Sequence, residues 1–414
     1  MKVLIYSINF APEPTGIGKY SGEMASWLAK RGHEVRAVCA PPYYPQWKVA
    51  DEYRTGWFRQ EEWQGVLIWR APLWVPKQPT GAKRILHLLS FAFSSFPVMV
   101  RQIFWRADLV LVIAPGFVCA PAALLTASLS GAKVWLHVQD FEIDIAFRLK
   151  LLKGAMMQRV CLRSESWILR RFDMVSSISA RMVTRLLKKG VSRDRVSYFP
   201  NWVDIGHIKP SAQSHSYRRQ LDIKDDAIVV LYSGSLGSKQ GLMVLPAAAS
   251  LLAARSDIVF VICGDGVMKQ ALESACAELP NTRVIPLQPV ERLGDLLTTA
   301  DIHTLPQSCE AEDLVLPSKL SGMLASGRPV IATCNADTEL AAVVSICGMV
   351  VEHQDAAALA SAITMLADDG ALRSRLGAAA RSYAELNFER DSVLERFFDQ
   401  LNVADESVQN DFVS

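Results

Sequence analysis

Val3-Leu4-Ile5-Tyr6-Ser7, Pro14-Thr15-Gly16-Ile17-Gly18-Lys19-Tyr20 and Val35-Arg36-Ala37-Val38-Cys39 follow one another at the start of the chain, and their reading decides the fold. The first and last are short apolar runs of strand type. Between them Tyr20, Met24, Trp27 and Leu28 recur at i, i+4, i+7 and i+8, the spacing of one helical face. Strand, glycine loop, helix and strand make a βαβ opening. Working outward, the apolar runs Leu109 to Ile113, Val134 to His137 and Met174 to Ile178 alternate with longer helical patterns, which predicts a mostly parallel sheet covered by helices on both faces.

After Tyr198-Phe199-Pro200-Asn201-Trp202 the chain turns polar, and a second αβ series begins. Its strands are expected at Ile228 to Tyr232, Ile258 to Cys263, Ile302 to Leu305 and Val330 to Thr333. The expected organisation is a Rossmann-like domain over 1–203, a linker over 204–223, a second Rossmann-like domain over 224–386, and a C-terminal helix and tail over 387–414 that packs back on the first domain. The fold class is α/β, with two doubly wound domains facing across a cleft, because ligands of such sheets bind outside the carboxyl ends of the strands.

Composition agrees with a globular chain of that size: 414 residues, 50% hydrophobic and 21% charged. The net charge of +2 makes no case for nucleic-acid binding, but it averages two opposite halves. Residues 1–200 hold 28 Lys and Arg against 14 Asp and Glu, a net +14, and residues 201–414 hold 16 against 28, a net −12. A basic half facing an anionic surface or substrate is one reading, and two differently solvated halves the other. The eight Cys lie mostly inside apolar runs without a CxxC spacing, as reduced core thiols do, and Met1-Lys2-Val3-Leu4 enters a strand at once with no signal-peptide pattern. A cytoplasmic protein is expected.

Ile85 to Val100 is sixteen residues without a formal charge, short of the roughly 20 that span a bilayer, and it contains Pro97. Lys83, Arg84 and Arg101 flank it, and Trp74 is one of five Trp just before it, a composition that suits a helix lying in a membrane interface. A buried helix beside a Trp-rich hairpin has the same pattern.

The loop at Gly16 and Gly18 opens a helix and can present N–H groups to a phosphate. It is not a P-loop, because Tyr20 follows Lys19, and Ser21 replaces the third glycine of a dinucleotide fingerprint. Two more glycine loops, Tyr232-Ser233-Gly234-Ser235-Leu236-Gly237-Ser238-Lys239 and Cys263-Gly264-Asp265-Gly266, end adjacent strands of the second domain and together suit a diphosphate better than either alone. Tight turns that need positive φ explain the same glycines. The acidic cluster Glu310, Glu312 and Asp313 reads as a solvated loop, and no metal site is expected. No GxSxG elbow or HExxH pair supports a hydrolase.

With Pro317-Ser318-Lys319 and Ala325-Ser326-Gly327-Arg328-Pro329-Val330 added, these loops occur in an order, over nearly the whole chain, that resembles the family 4 glycosyltransferases of GT-B fold. Ala40-Pro41-Pro42-Tyr43-Tyr44-Pro45-Gln46-Trp47 and Val75-Pro76-Lys77-Gln78-Pro79 look most similar to the WcaI-type colanic acid enzymes, with the WbuB type next. The resemblance implies an acceptor-binding domain over 1–203 and a nucleotide-sugar-binding domain over 224–386, with retaining transfer, without a required metal or cofactor, from a nucleotide diphosphate sugar to an undecaprenyl-diphosphate-linked acceptor at the inner face of the cytoplasmic membrane. GDP-fucose is the leading donor and UDP-N-acetylhexosamine the next. It places Gly16, Gly18, Gly234, Lys239, Gly264, Gly266, Ser318 and Lys319 at the donor, makes His137, Asp140 and Asp313 the catalytic candidates, with His137 facing the donor sugar and Asp140 orienting it or binding acceptor hydroxyls, and puts Lys83, Arg84, Arg101 and Trp74 at the membrane or acceptor. Ser235 stands where relatives carry Arg, so Lys319 is the expected substitute cation. Leu314 and Gly322 stand where relatives carry two glutamates, which leaves Asp313 as the nearest acid. A nucleotide-sugar 2-epimerase and an inactive nucleotide-sugar-binding scaffold are alternatives on the same fold.

Overall fold

The computed structural model describes residues 1–54, 56–77, 81–114, 117–141, 143–144, 154–210, 215–237, 240–308 and 316–410. They form two compact units, Met1–Phe199 and Pro200–Ser414. The first is built on a sheet of eight strands: β1 (Lys2–Ser7), β2 (Glu34–Cys39), β3 (Arg59–Trp63), β4 (Val66–Arg70), β5 (Leu109–Ala114), β6 (Lys133–Val138), β7 (Met174–Ser177) and β8 (Val196–Tyr198). Their spatial order is β3-β4-β2-β1-β5-β6-β7-β8. Only β3 runs antiparallel, in a hairpin with β4 that turns at Gln64 and Gly65, both with φ in the left-handed region. Helices α1 (Gly16–Lys30), α2 (Gly81–Gln102), α3 (Ala120–Ser130), α4 (Ala155–Leu169) and α5 (Ala180–Lys188) provide the crossovers. Every residue of β5 is buried, the mark of a strand covered on both faces.

The second unit carries six parallel strands: β9 (Ile228–Ser233), β10 (Ile258–Cys263), β11 (Thr282–Ile285), β12 (Ile302–Pro306), β13 (Val330–Thr333) and β14 (Gly348–Val351). They lie in the order β11-β10-β9-β12-β13-β14, so the chain reverses direction across the sheet beside β9. The period of two sends Val229, Leu231, Val261 and Cys263 into one core and Val230, Tyr232, Phe260 and Ile262 into the other, on the opposite face. The four strands expected for this half are present, and β11 and β14 are added at the two edges.

Residues 204–223 are not a free connection. Their helix His215–Gln220 buries Tyr217 in the second unit's core, and Arg218, also buried, reaches Asp301 at 2.7 Å and the Ala227 carbonyl at 2.8 Å. One apolar residue, Tyr217, in a polar stretch was too little periodicity to announce it. Near the C-terminus the helix Gly370–Phe388 ends with Phe388 in the same core, its carbonyl accepting from the Val203 N–H at 2.8 Å.

Candidate functional site

Side chains that can do chemistry gather at the carboxyl ends of the strands of each unit. In the first unit the organising residue is Glu13, in the loop between β1 and α1. It is 4% exposed, and its carboxylate accepts from the Tyr43 and Tyr44 N–H groups at 3.1 and 3.0 Å and from Asn9 Nδ2 at 3.0 Å. Burial pushes its pKa up to about 7, against the pull of those hydrogen bonds and of the Arg70 charge. Arg70, 1% exposed, ties the same loops together through the Ala11 carbonyl at 2.6 Å and the Ala40 carbonyl at 3.0 Å.

Gly18 finds its reason here. A Cβ at that position would overlap the Glu13 side chain, so the residue is small to admit a carboxylate. That is a packing reason for the glycine beside the approach to a phosphate expected of it. Gly16, at φ +62°, lies against Tyr44, where an added Cβ would sit 3.6 Å from the ring. Tyr44 is a meeting point: its hydroxyl pKa is raised by burial first and then by the charges of Asp140 and Glu13, while Arg84 opposes them. The structure therefore brings Gly16, Asp140 and Arg84 to one tyrosine, together with Glu13, which sequence reasoning passed over.

His137 ends β6 as expected, but its ring is held inside the protein. Nδ1 lies 2.9 Å from Ser176 Oγ, Nε2 lies 3.0 Å from Gln139 Nε2, and Phe199 packs at 4.9 Å between ring centroids. An amide nitrogen can only donate, so Nε2 accepts and the proton sits on Nδ1, directed at Ser176. Burial drives the pKa down to about 3, which keeps the ring neutral. The groups that orient it are Ser176 and Gln139, where Asp140 was expected. So held, the ring fixes the end of β6.

Helix α2 has two faces. Phe91, Ser95 and Met99 are fully buried, with Ser95 Oγ 2.6 Å from Tyr6 Oη, while Leu86, Phe93 and Phe96 are exposed and Phe104 beyond its end is 85% exposed. Lys83 and Arg101 are exposed on it and Trp74 stands exposed beside it, whereas Arg84 is partly buried. Of the Trp-rich segment, Trp57 is also exposed, but Trp63 packs edge-on against Phe10 and Trp47 against Tyr43.

In the second unit the corresponding residue is Lys319. Its ammonium donates to Tyr232 Oη at 2.6 Å and lies 4.1 Å from the centre of the same ring, and Tyr232 Oη in turn donates to the Ser235 carbonyl at 2.6 Å. An added Cβ on Gly234 would stand 3.1 Å from Lys319 Cδ, so this glycine, at φ +145°, gives the lysine its path. Burial lowers the ammonium pKa to about 7, and no carboxylate among the described residues pairs with it. Lys319 thus occupies the Gly234–Ser235 loop, where the missing cation was sought. Ser318 is exposed next to it.

The glycines of this unit need a correction. The N–H groups of Gly234, Gly264 and Gly266 already donate, to the Cys263 carbonyl at 3.0 Å, the Ile285 carbonyl at 3.1 Å and Asp265 Oδ1 at 2.9 Å. A Cβ on Gly264 would overlap the Gly234 carbonyl, and one on Gly266 would come within 2.6 Å of the Leu236 carbonyl. These two glycines let the two loops lie together; they are not phosphate donors. Gly322 packs by its Cα face towards Leu297 and Ile208, inside the helix layer. Lys239, Asp313 and Leu314 lie outside the described residues.

With this geometry in place, comparison with known proteins is informative. A glycosyl transferase 4-like domain model matches residues 15–202, and a glycosyl transferases group 1 model matches residues 227–369. A protein of Escherichia coli (strain K12) named as the colanic acid biosynthesis glycosyl transferase WcaI is 40% identical over 97% of this chain and 100% of its own length. Among solved structures, the sucrose-phosphate synthase of Thermosynechococcus elongatus superposes with a TM-score of 0.74 at 18% identity, over 97% of this chain and 99% of that one. Anabaena HepE in complex with UDP and glucose gives 0.69 at 14% identity, over 97% and 100%.

Proposed function

We propose the roles of the two clusters from the premise that this chain belongs to the glycosyltransferases of GT-B fold, in the family of the WcaI-type enzymes. The reading is retaining transfer of a sugar, with GDP-fucose as the leading donor, to a lipid-linked oligosaccharide acceptor in colanic acid or related exopolysaccharide assembly. The observation that carries it is Lys319, a mostly buried ammonium at a glycine loop whose near partner is a neutral phenol. A diphosphate supplies a counter-charge that none of the described residues around Lys319 provides, and a fixed cation there stabilises charge as it gathers on the leaving group. Lys239, on the same loop, is assigned the same anion.

Transfer with retention then follows from positioning. As the anomeric carbon–phosphate oxygen bond breaks, the leaving phosphate accepts the acceptor hydroxyl's proton on the same face on which the new glycosidic bond forms, and the side chains hold the acceptor on that face. His137, neutral and fully engaged, contributes by fixing the end of β6, and Asp140, close to Tyr44, is assigned the acceptor hydroxyls. Peripheral attachment to the inner face of the cytoplasmic membrane completes the reading, supported by the apolar outer face of α2 between Lys83 and Arg101.

A thermal-shift titration with GDP, UDP, ADP and their sugar conjugates tests the donor. A ligand at 100 times its Kd adds about 2.7 kcal/mol, so a true donor nucleotide raises Tm clearly. Stabilisation by GDP and GDP-fucose is the expected result. Stabilisation by the UDP series alone would replace the donor with a UDP-sugar, and no response to any nucleotide would sink the reading.

A further inference from the structure

Ala40-Pro41-Pro42-Tyr43-Tyr44-Pro45-Gln46-Trp47 has no part in the donor chemistry, yet its loop is among the most heavily braced in the first unit. Glu13 holds the Tyr43 and Tyr44 amides, and Tyr43 and Trp47 pack on His87 of α2 with ring centroids 4.8 and 5.3 Å apart. Trp47 keeps a φ of 52°, a conformation that a bulky residue holds only where its surroundings impose it. This bracing walls a cavity of about 310 Å³ outside the ends of β1 and β2, closed on one side by Pro12, Glu13 and Pro14 and on the other by the stretch from Pro42 to Glu52.

Size and lining select the occupant. A volume near the lower end for ligand pockets, about 300 Å³, suits about one or two pyranose rings and is too small for a nucleotide sugar. Glu13, Asp51 and Glu52 line it with one lysine, Lys48, and both Lys48, at 3.9 Å, and the neighbouring Arg54, at 2.9 Å, are engaged by the same Asp51 Oδ1, which leaves the lining with acid in excess and no unengaged cation of its own. That balance repels a phosphate, while carboxylates and an amide, from Gln46, are the usual partners of hydroxyl groups. Pro42 and Tyr44 supply apolar surface for the C–H face of a ring. Tyr44 also joins the cavity to Gly16, against its ring, and to Asp140, whose charge acts on its hydroxyl.

We infer that this cavity is a subsite for an uncharged sugar unit of the acceptor, with Gln46, Asp51 and Glu52 taking its hydroxyls and Tyr44 its ring. The inference rests on the proposed glycosyl transfer to an oligosaccharide. It assigns acceptor choice to the 40–52 loop and leaves the acceptor's diphosphate outside the cavity.

Saturation-transfer NMR with methyl hexopyranosides as probes tests it on the full chain. Two variants are compared with the parent: Ala50→Trp, which fills the cavity, and the pair Gln46→Ala with Glu52→Ala, which removes exposed polar groups and leaves the braced residues intact. The parent should transfer saturation to the ring protons of at least one glycoside, and both variants should weaken that binding by about tenfold, the loss expected for charge-assisted hydrogen bonds. Their Tm shifts with nucleoside diphosphates should match the parent's. Undiminished transfer in both variants, methyl phosphate competing with the glycosides, or no glycoside signal from a parent that responds to nucleotides would each overturn the subsite. The last result spares the donor reading, and a glycoside signal without any nucleotide response would reject the donor reading alone.

Discussion

Glu13 in the first unit and Lys319 in the second both lie at the carboxyl end of their sheet, and burial pushes both towards neutrality from opposite sides. Glu13 rises to about 7 and Lys319 falls to about 7. Their partners differ. Glu13 is met by two backbone N–H groups and the Asn9 amide, so its hydrogen-bonding capacity is used within the fold. Lys319 is met by a phenol and the face of its ring, which solvate a cation without neutralising it. The comparison teaches what to ask of a buried charge: Glu13 is satisfied within the fold, whereas among the described residues Lys319 has no counter-ion, which is why the proposal places an anion beside it.

The largest test of that contrast is Glu13→Ala. It leaves the Asn9 amide and two N–H groups buried without an acceptor, and a loss of about 3 kcal/mol in denaturant unfolding is expected. The pH dependence gives a second handle. Because the folded pKa lies above the ordinary 4.5, the folded state binds the proton more tightly, and the stability present below pH 4.5 is lost as pH rises through about 7. Glu13→Gln should flatten that slope, and an unchanged slope would mean that Glu13 is not the group responsible.

Next in size is Lys319→Ala, with an expected loss of about 30-fold, near 2 kcal/mol, in affinity for a nucleoside diphosphate and little change for the nucleoside. Equal losses for both ligands would break the comparison, since the lysine would then be shaping the loop and not meeting an anion. Here the linkage runs the other way. The folded pKa lies below the ordinary 10.5, so the free protein gains stability as pH rises from about 7 towards 10.5, a gain the variant should lack. Diphosphate binding should restore the ammonium and take up a proton near pH 8, which calorimetry in buffers of different ionisation enthalpy reads directly.

The smallest effect concerns the outside of the first unit. Lys83→Glu and Arg101→Glu should each weaken sedimentation with anionic vesicles by a few fold, since a basic residue near such a surface contributes about 1 kcal/mol. Nucleotide binding, assigned to the other unit, should be untouched. Sedimentation that ignores both reversals would remove the membrane from the reading of α2.

Much of the fold was legible because its strands are apolar on both faces and its helices on one, and both periods survive in a single sequence. β1, β2, β5 and β6, and the four central strands of the second sheet, stood out for that reason. The helix His215–Gln220 did not, because two buried residues in a six-residue helix leave no period to read. At the site, Lys319 was legible from the motif around it and from the absence of Arg at 235. Glu13 was not, since one acid between two prolines carries no sign of whether it will be buried. The glycines misled in a particular way: a glycine marks a place where something comes close, and only coordinates tell whether that is a phosphate or, as at Gly264, another part of the chain.

Alternation of apolar runs, glycine at strand ends and order along the chain determine the two αβ units and the family, because each is a local property that the chain carries wherever it is folded. Which groups end up paired is not local. Lys319 meets Tyr232 across 87 positions, and Glu13 takes the amides of residues 43 and 44 across about thirty. Tertiary structure alone decides such pairings, and with them how each buried charge is met within the fold.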